Sequence, residues 1–266
     1  MNGVLRLELR RSRSLIVWLT VVLVGYGAFL AALYPTLRAN AAAIEEYIRI
    51  YPKEFMEAFG MTGSLADPGV FFTSYIASWI WPIVVAIACV LLGTRAVAAD
   101  LDRGFLELPL STSISRTRYL ALTIAHQVIV LGVLSVACVI GVLVVGALVG
   151  AGFDVGRFLL VIPVAFTFGA AIMGASTLLA VMTLSRGRAG GIAVGGLILM
   201  YLLEVAGRIE PGLNDLRTIS LFRYFNTMPV VSEGVVDLVA LAVLGLVAAS
   251  CWVLALVLFR RRDLVA

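Results

Sequence analysis

The chain has 266 residues, of which 62% are hydrophobic and 14% charged, whereas about a quarter of the residues in a soluble domain are charged. Its mean hydropathy of +1.06 excludes a water-soluble domain, and its net charge of +4 is split among short arginine groups, so no nucleic-acid partner is expected. The three cysteines, Cys89, Cys138 and Cys251, fall inside apolar runs where a thiol behaves as a small hydrophobe, so no structural disulfide is expected.

Six apolar runs, near 15–34, 71–93, 119–149, 158–184, 190–206 and 237–259, are long enough to cross a hydrocarbon core, which takes roughly 20 helical residues. They are too long and too uniformly apolar for barrel strands. The predicted fold is therefore an all-α integral membrane protein with six transmembrane helices in a single domain spanning 1–266. The third and fourth runs exceed one bilayer crossing and should tilt or extend into water.

The first run follows the basic stretch LRLELRRSRS. It is longer than a signal-peptide core and five further runs follow, so it reads as a retained anchor. The basic stretch itself is either a positive flank or a short amphipathic helix on the membrane surface. Between the first two runs, residues 35–70 form an outer helical loop. After Pro35, the residues Ile44, Tyr47, Ile48 and Tyr51 are spaced as one helical stripe opposite Glu45, Glu46 and Arg49. Pro52 then begins a second short helix with Phe55, Met56 and Phe59 on one face. The pair reads as an interfacial hairpin, structural or lid-like.

The segment ADLDRGFLELPLSTSISRTR, residues 99–118, is a charged island between the second and third runs. Its first part reads as a helix with Leu101, Phe105, Leu106 and Leu108 making apolar contacts and Asp100, Asp102, Arg103 and Glu107 wet. Pro109 stops that helix, and a hydroxyl-rich turn leads to Arg116 and Arg118. Clamped between two spans, such a helix is suited to receive a push from a soluble partner; an ordinary solvated loop is the other reading.

Further along, His126 is the sole histidine. It reads as a helix-to-helix hydrogen bonder, since no second histidine exists to share a metal. The fifth run opens with Gly187, Gly190, Gly191, Gly195 and Gly196, and the GxxxG spacing of Gly191 and Gly195 predicts a packing seam within one subunit or across a dimer. Residues 207–234 mix Leu213, Leu216, Ile219, Leu221, Phe222, Tyr224 and Phe225 with Arg208, Asp215, Arg217 and Arg223. That composition is too apolar for a solvated loop and predicts a re-entrant or interfacial segment. Glu204 and Asp237 stand at the ends of the fifth and sixth runs, where interfacial solvation is expected.

The arginines set the orientation. Arg6, Arg10, Arg11 and Arg13, then Arg95, Arg103, Arg116 and Arg118, then Arg186 and Arg188, then Arg260, Arg261 and Arg262 all fall on one side if the spans alternate. The short loop 185–189, with two arginines and no acid, decides the vote. Both termini are expected in the cytosol. No Asp, Glu, Lys or Arg stands in the middle of a run, which counts against a proton-coupled or ion-coupled carrier. HExxH, GxSxG, GxGxxG and phosphate-loop patterns are absent. Gly174-Ala175-Ser176 with His126 would supply a nucleophile and a base, but the same tripeptide is what tight helix packing uses. The chain is therefore expected not to be an enzyme.

Residues 102–116 carry a resemblance. Asp102, Arg103, Gly104, Leu106, Glu107, Leu108, Leu110, Ser115 and Arg116 match a segment of type-2 ATP-binding-cassette exporter permeases, with Phe105, Ser113 and Thr123 standing where threonine, proline and lysine are usual. Six spans, both ends inside, the outer helical loop and the aromatic stretch LFRYFNTMP extend the likeness along the chain. The resemblance implies that 99–118 forms a coupling helix seated on a cytosolic ATPase. The implied contacts are Asp100, Asp102, Arg103, Glu107 and Arg116, with Gly104 allowing close approach. It further implies two copies of that separate ATPase, which holds the ATP and Mg, and no cofactor bound directly to this chain. A second permease subunit, as homodimer or heterodimer, would pack near spans two and five, making Gly187, Gly191 and Gly195 candidate contacts. The setting implied is a prokaryotic cell membrane, and the role is export across it. A non-transporting module using the same ATPase contact for mechanical work, a secondary carrier and a membrane enzyme are the rival readings, in that order.

Overall fold

The structure is a computed structural model that describes residues 2–51, 63–74, 80–95 and 115–261. All of the regular elements among the described residues are helical. They are α1 (Asn2–Ala39), α2 (Ala41–Ile48), α3 (Pro68–Phe72), α4 (Ile80–Arg95), α5 (Arg116–Leu148), α6 (Val155–Leu159), α7 (Val161–Thr183), α8 (Arg186–Ile209), the 3-10 segments Pro211–Ile219 and Leu221–Tyr224, α9 (Met228–Glu233) and α10 (Leu238–Arg261). Among the described residues, five helical stretches are long and apolar enough to cross a membrane: Glu8–Ala39, Arg116–Leu148, Val155–Thr183, Arg186–Ile209 and Leu238–Arg261. The molecule is an all-α, membrane-embedded protein.

The second apolar run differs from the others. It is carried by α3 and by α4, whose 16 residues span about 24 Å at 1.5 Å each, short of a hydrocarbon core of about 30 Å. Residues 75–79, within that run, lie outside the described residues. At the N-terminus the basic stretch is the opening of α1 itself, a continuous helix of 38 residues, and not a separate helix on the surface. The fourth run is interrupted at Leu160, between α6 and α7. Pro163 lacks the N–H that would bond to Leu159, so the helix breaks there. Asp154 starts α6 by accepting from the Arg157 amide at 3.1 Å.

The tight helix pairs run parallel. Along α1 and α5, Ser12 meets His126, and Gly141 and Gly27 meet Val24 and Val142 respectively. The two backbones come so close that a Cβ on Gly141 would lie 2.1 Å from the Val24 carbonyl oxygen. Along α4 and α7, Gly169 sits against Val85 and Cys89, and Gly93 against Met173 and Ser176. Along α7 and α10, Gly174 meets Ala248, and Val181 clusters with Ala255 and Phe259. α7 is the hub, packing against α4, α5, α8 and α10. Its turn into α8 takes two residues, with Leu184 in the left-handed region at φ 52°, a conformation that disfavours a side chain bearing Cβ.

Parallel pairing of alternate spans brings like ends together. Tyr119 and Leu120, near the start of α5, pack with Val181, Ala255 and Phe259, near the ends of α7 and α10. Arg6 to Arg13 on α1, Arg116 and Arg118 on α5, Arg186 and Arg188 on α8 and Arg260 and Arg261 on α10 therefore share one basic end. The opposite end holds α2, α3, α6, α9 and the 3-10 segments, with Glu45, Glu46, Asp67, Asp154, Glu210, Asp215, Glu233 and Asp237.

Candidate functional site

At the basic end, α5 starts on a cap. Ser115 is extended and its Oγ accepts from the Arg118 amide at 3.3 Å, satisfying one N-terminal donor. Arg116 is the first residue of α5 and is half-buried. Placing Arg116 and Arg118 in the first turn opposes the helix dipole, a local conflict at the point where the chain emerges from the island. Asp100, Asp102, Arg103, Gly104 and Glu107, with the rest of 96–114, lie outside the described residues.

One layer deeper is a buried polar band. Adjacent residues on α5 point to two different helices, His126 to Ser12 of α1 with 2.8 Å between Nε2 and Oγ, and Gln127 to Thr177 of α7, whose single hydroxyl proton faces both Oε1 at 3.1 Å and the Met173 carbonyl at 2.8 Å. All four side chains are buried. Ser12 also donates its only proton to the Glu8 carbonyl at 2.7 Å, so the imidazole must hold its proton on Nε2 and donate. In that tautomer Nε2 cannot act as the base for Ser12. Ser176 is directed elsewhere, donating to the Ile172 carbonyl at 2.8 Å, with its Cβ filling the notch at Gly93. The Gly174-Ala175-Ser176 stretch is thus packing surface, and His126 is a helix-to-helix tether. Among the described residues no group of three His, Cys, Asp or Glu side chains could hold a metal.

At the other end, Glu204 overturns the expectation of interfacial solvation. It is 3% exposed. Arg208, one turn on, donates to Oε1 at 2.8 Å, while Arg217 grips both oxygens, from Nη2 at 2.8 Å and from Nε at 3.2 Å. Arg217 lies across Gly207, where an added Cβ would stand 2.3 Å from its Cγ. A buried carboxylate with two guanidinium partners repays part of its desolvation cost only while both partners stay in place. The pair clasps segment Pro211–Ile219 to α8. Asp237, in contrast, is exposed and caps α10, its Oδ1 accepting from the Val239 and Ala240 amides at 2.9 and 3.0 Å.

The segment after the clasp is buried. Ser220 donates to the Met200 carbonyl at 2.8 Å, and Phe222 and Phe225 enter an aromatic stack. Phe225 lies over Trp81 at 5.3 Å, and Phe168 takes Phe222 at 5.3 Å and Phe225 at 4.7 Å. Arg157 of α6 donates to the Ser232 carbonyl of α9. Residues 207–234 therefore form a partly buried cap over α4, α7 and α8.

Two features of this end depart from the sequence reading or went unseen in it. The predicted apolar stripe is only partly covered: Ile44 and Ile48 are half-buried, whereas Tyr47 is 69% exposed and Tyr51 49%. Loop 63–67 is tied to α2 through Glu45, which accepts from the Ser64 hydroxyl at 2.7 Å and the Leu65 amide at 2.9 Å. Those two bonds hold the Glu45 carboxyl below the usual carboxylate range. Residues 52–62, the predicted second helix of the hairpin, lie outside the described residues.

Among the described residues, Gly187, Gly191 and Gly195 meet no other helix. A Cβ on any of them, or on Gly190 or Gly196, would meet nothing within 4 Å. Of the glycines at which helices do meet, Gly174 was legible as packing from Gly174-Ala175-Ser176, whereas Gly27, Gly93, Gly141 and Gly169 were not singled out, because only a long-range partner gives each its meaning.

No family model matches the chain, and no curated protein matches its sequence.

Proposed function

We propose that this chain is the transmembrane subunit of an exporter of the type-2 ATP-binding-cassette class, crossing the membrane six times with both termini in the cytosol. It works as one of two permease subunits driven by a separately encoded ATPase that binds ATP and Mg. The observation that carries the reading is the order of residues in the island 99–118, which resembles the coupling segment of those permeases. Its support in the fold is positional. The island joins α4 to α5, and the start of α5 lies at the same end as the start of α1 and the end of α10. That end is the arginine-rich one, which the positive-inside rule puts in the cytosol.

In this reading Asp100, Asp102, Arg103, Glu107 and Arg116 make the contact with the ATPase and Gly104 lets the backbones approach. Their role is mechanical. A push on α5 would pass to α1 through the Ser12–His126 bond and to α7 through Gln127–Thr177, and α7 touches four other helices. The island can shift the permease between two shapes only if its contacts with the ATPase differ between them. The open glycines of α8, Gly187, Gly191 and Gly195, are offered to the second permease subunit. The large apolar share of the bundle and the lack of charge at mid-span suit an amphipathic or hydrophobic cargo.

The test is ATPase activity and assembly of the reconstituted pair. Arg103→Glu and Glu107→Arg should each weaken assembly by about tenfold or more, as expected for reversing a charge in a close interfacial pair. Wild-type assembly and coupling in both variants would refute the proposed role of the island. Intact ATP hydrolysis with no translocation of any lipid, peptide or drug would instead favour a mechanical module.

A further inference from the structure

A cavity of about 340 Å³ opens beside the C-terminal turn of α1, where it meets the end of α5 and the turn leading to α6. Its walls come from Tyr34, Arg38 and Ala39 on one side and Val149, Gly150 and Ala151 on the other. All but Arg38 and the Tyr34 hydroxyl are apolar side chains or backbone. The Tyr34 hydroxyl is committed, donating to the Ala66 carbonyl at 2.6 Å. The neighbouring carboxylate of Asp67 is committed too, capping α3 by accepting from the Gly69 and Val70 amides at 2.7 and 3.0 Å. Among the described residues Arg38 has no carboxylate within salt-bridge distance. The cavity thus has one cation without an ion-pair partner among the described residues, on walls otherwise made of apolar side chains and backbone.

Its depth is set by its surroundings. Leu33 and Leu148, just inside the cavity level on α1 and α5, are exposed, Leu148 to 81%, and belong to the apolar belt. On the other side, α2 begins two residues after α1 ends and leaves Tyr47, Ile50 and Tyr51 exposed, as aromatic and apolar side chains are at a membrane interface. Arg38 therefore stands where hydrocarbon gives way to headgroups. A ligand that fills the cavity must bring one anionic group to Arg38 and apolar chain to Leu33, Leu148 and Val149.

We infer that this cavity is a binding site for the phosphate-bearing headgroup of an anionic phospholipid, with Arg38 as its phosphate contact and the acyl chains lying along α1 and α5. A guanidinium matches phosphate in geometry as well as in charge. A free phosphate shares the first contact and lacks the second. The proposal is independent of the permease reading, since it concerns lipid held at the end remote from the island.

The test uses the full chain purified in detergent, titrated with phosphatidylglycerol, with phosphatidylcholine or with inorganic phosphate, and retained lipid counted by native mass spectrometry. One phosphatidylglycerol should be retained more tightly than phosphatidylcholine and should survive millimolar phosphate. Arg38→Gln should weaken its retention about fivefold, the effect of one arginine near a lipid surface, and Ala39→Phe should block it by filling the cavity. Both positions are exposed, so both variants should melt with the wild type. Arg49→Gln, an exposed arginine on the same end, should change nothing. Equal retention in Arg38→Gln, equal retention of phosphatidylcholine, displacement by inorganic phosphate, or an equal loss in Arg49→Gln would each overturn the assignment.

Discussion

α7 and α8 are joined by two residues, nearly equal in length and both rich in small side chains, yet they occupy opposite situations. In the most apolar stretch of the span 155–183, 61% is buried inside the chain; in that of 186–209 the figure is 17%. Gly169 and Gly174 of α7 receive Leu131 and the Ala248 backbone, and Ser176 fills the notch at Gly93. The five glycines that open α8, from Gly187 to Gly196, meet nothing among the described residues. Small residues grant a helix the capacity for close approach. Whether the capacity is used depends on partners far away in sequence, and α7 has them on several sides. The lower half of α8 buries Ala189 and Ala193 and leaves its glycines open, and its upper half is held by the clasp at Glu204 and by Ser220.

The clasp offers the largest way to break this contrast. Glu204→Ala leaves two guanidinium groups facing each other without their carboxylate, and truncating one partner of a buried ionic cluster costs about 3–5 kcal/mol. Thermal melting in detergent should fall accordingly, and segment Pro211–Ile219 should become the first site of proteolysis. Next is Gly93→Ala, whose Cβ would stand 2.6 Å from Ser176 Cβ and 2.9 Å from the Met173 carbonyl. Overpacking of that kind costs about 1–3 kcal/mol, read as a lowered melting temperature. Gly191→Ala on α8 is the matched control. It should leave the melting of the isolated chain unchanged or raise it by up to about 1 kcal/mol of helix propensity; a loss as large as that of Gly93→Ala would erase the distinction between the two helices.

Smaller still is Ser12→Ala. It removes the acceptor of His126 and should cost about 0.6 kcal/mol, the mean for hydrogen bonds between membrane helices. The smallest effect concerns Glu45. Its carboxyl is held below its ordinary range in the folded chain, so its contribution is complete above the ordinary carboxylate range and is lost as pH falls through the folded value. The melting difference between wild type and Glu45→Gln should therefore vanish in acid and persist at neutral pH; a difference that grows in acid would contradict the two bonds from Ser64 and Leu65.

The long helices were legible because a bilayer-length apolar run has few alternatives once every backbone group must be satisfied internally. Five of the six runs appear as such helices, with ends shifted by a few residues. The break at Leu160 was written in Pro163 and could have been read. The burial of Glu204 could not, because its carboxylate becomes tolerable only through Arg217, thirteen residues on in a 3-10 segment whose course no periodicity marks. LFRYFNTMP showed its apolar character plainly, but its partners Trp81 and Phe168 lie in other spans. For the same reason the glycine seam was sought where glycines are dense, while the helices meet where single glycines face each other's backbones.

The parallel pairing of α1 with α5 also has a consequence for how the molecule is made. Spans that leave a ribosome one after another are antiparallel neighbours, so a parallel partner is never the next one to arrive. Ser12 and His126 are 114 residues apart, which at 5–20 residues per second is on the order of ten seconds of synthesis. Throughout that interval the groove at Val24 and Gly27 has only lipid to fill it. α1 is thus held waiting for α5, and a nascent chain cut short before α5 would carry an α1 with no place to dock.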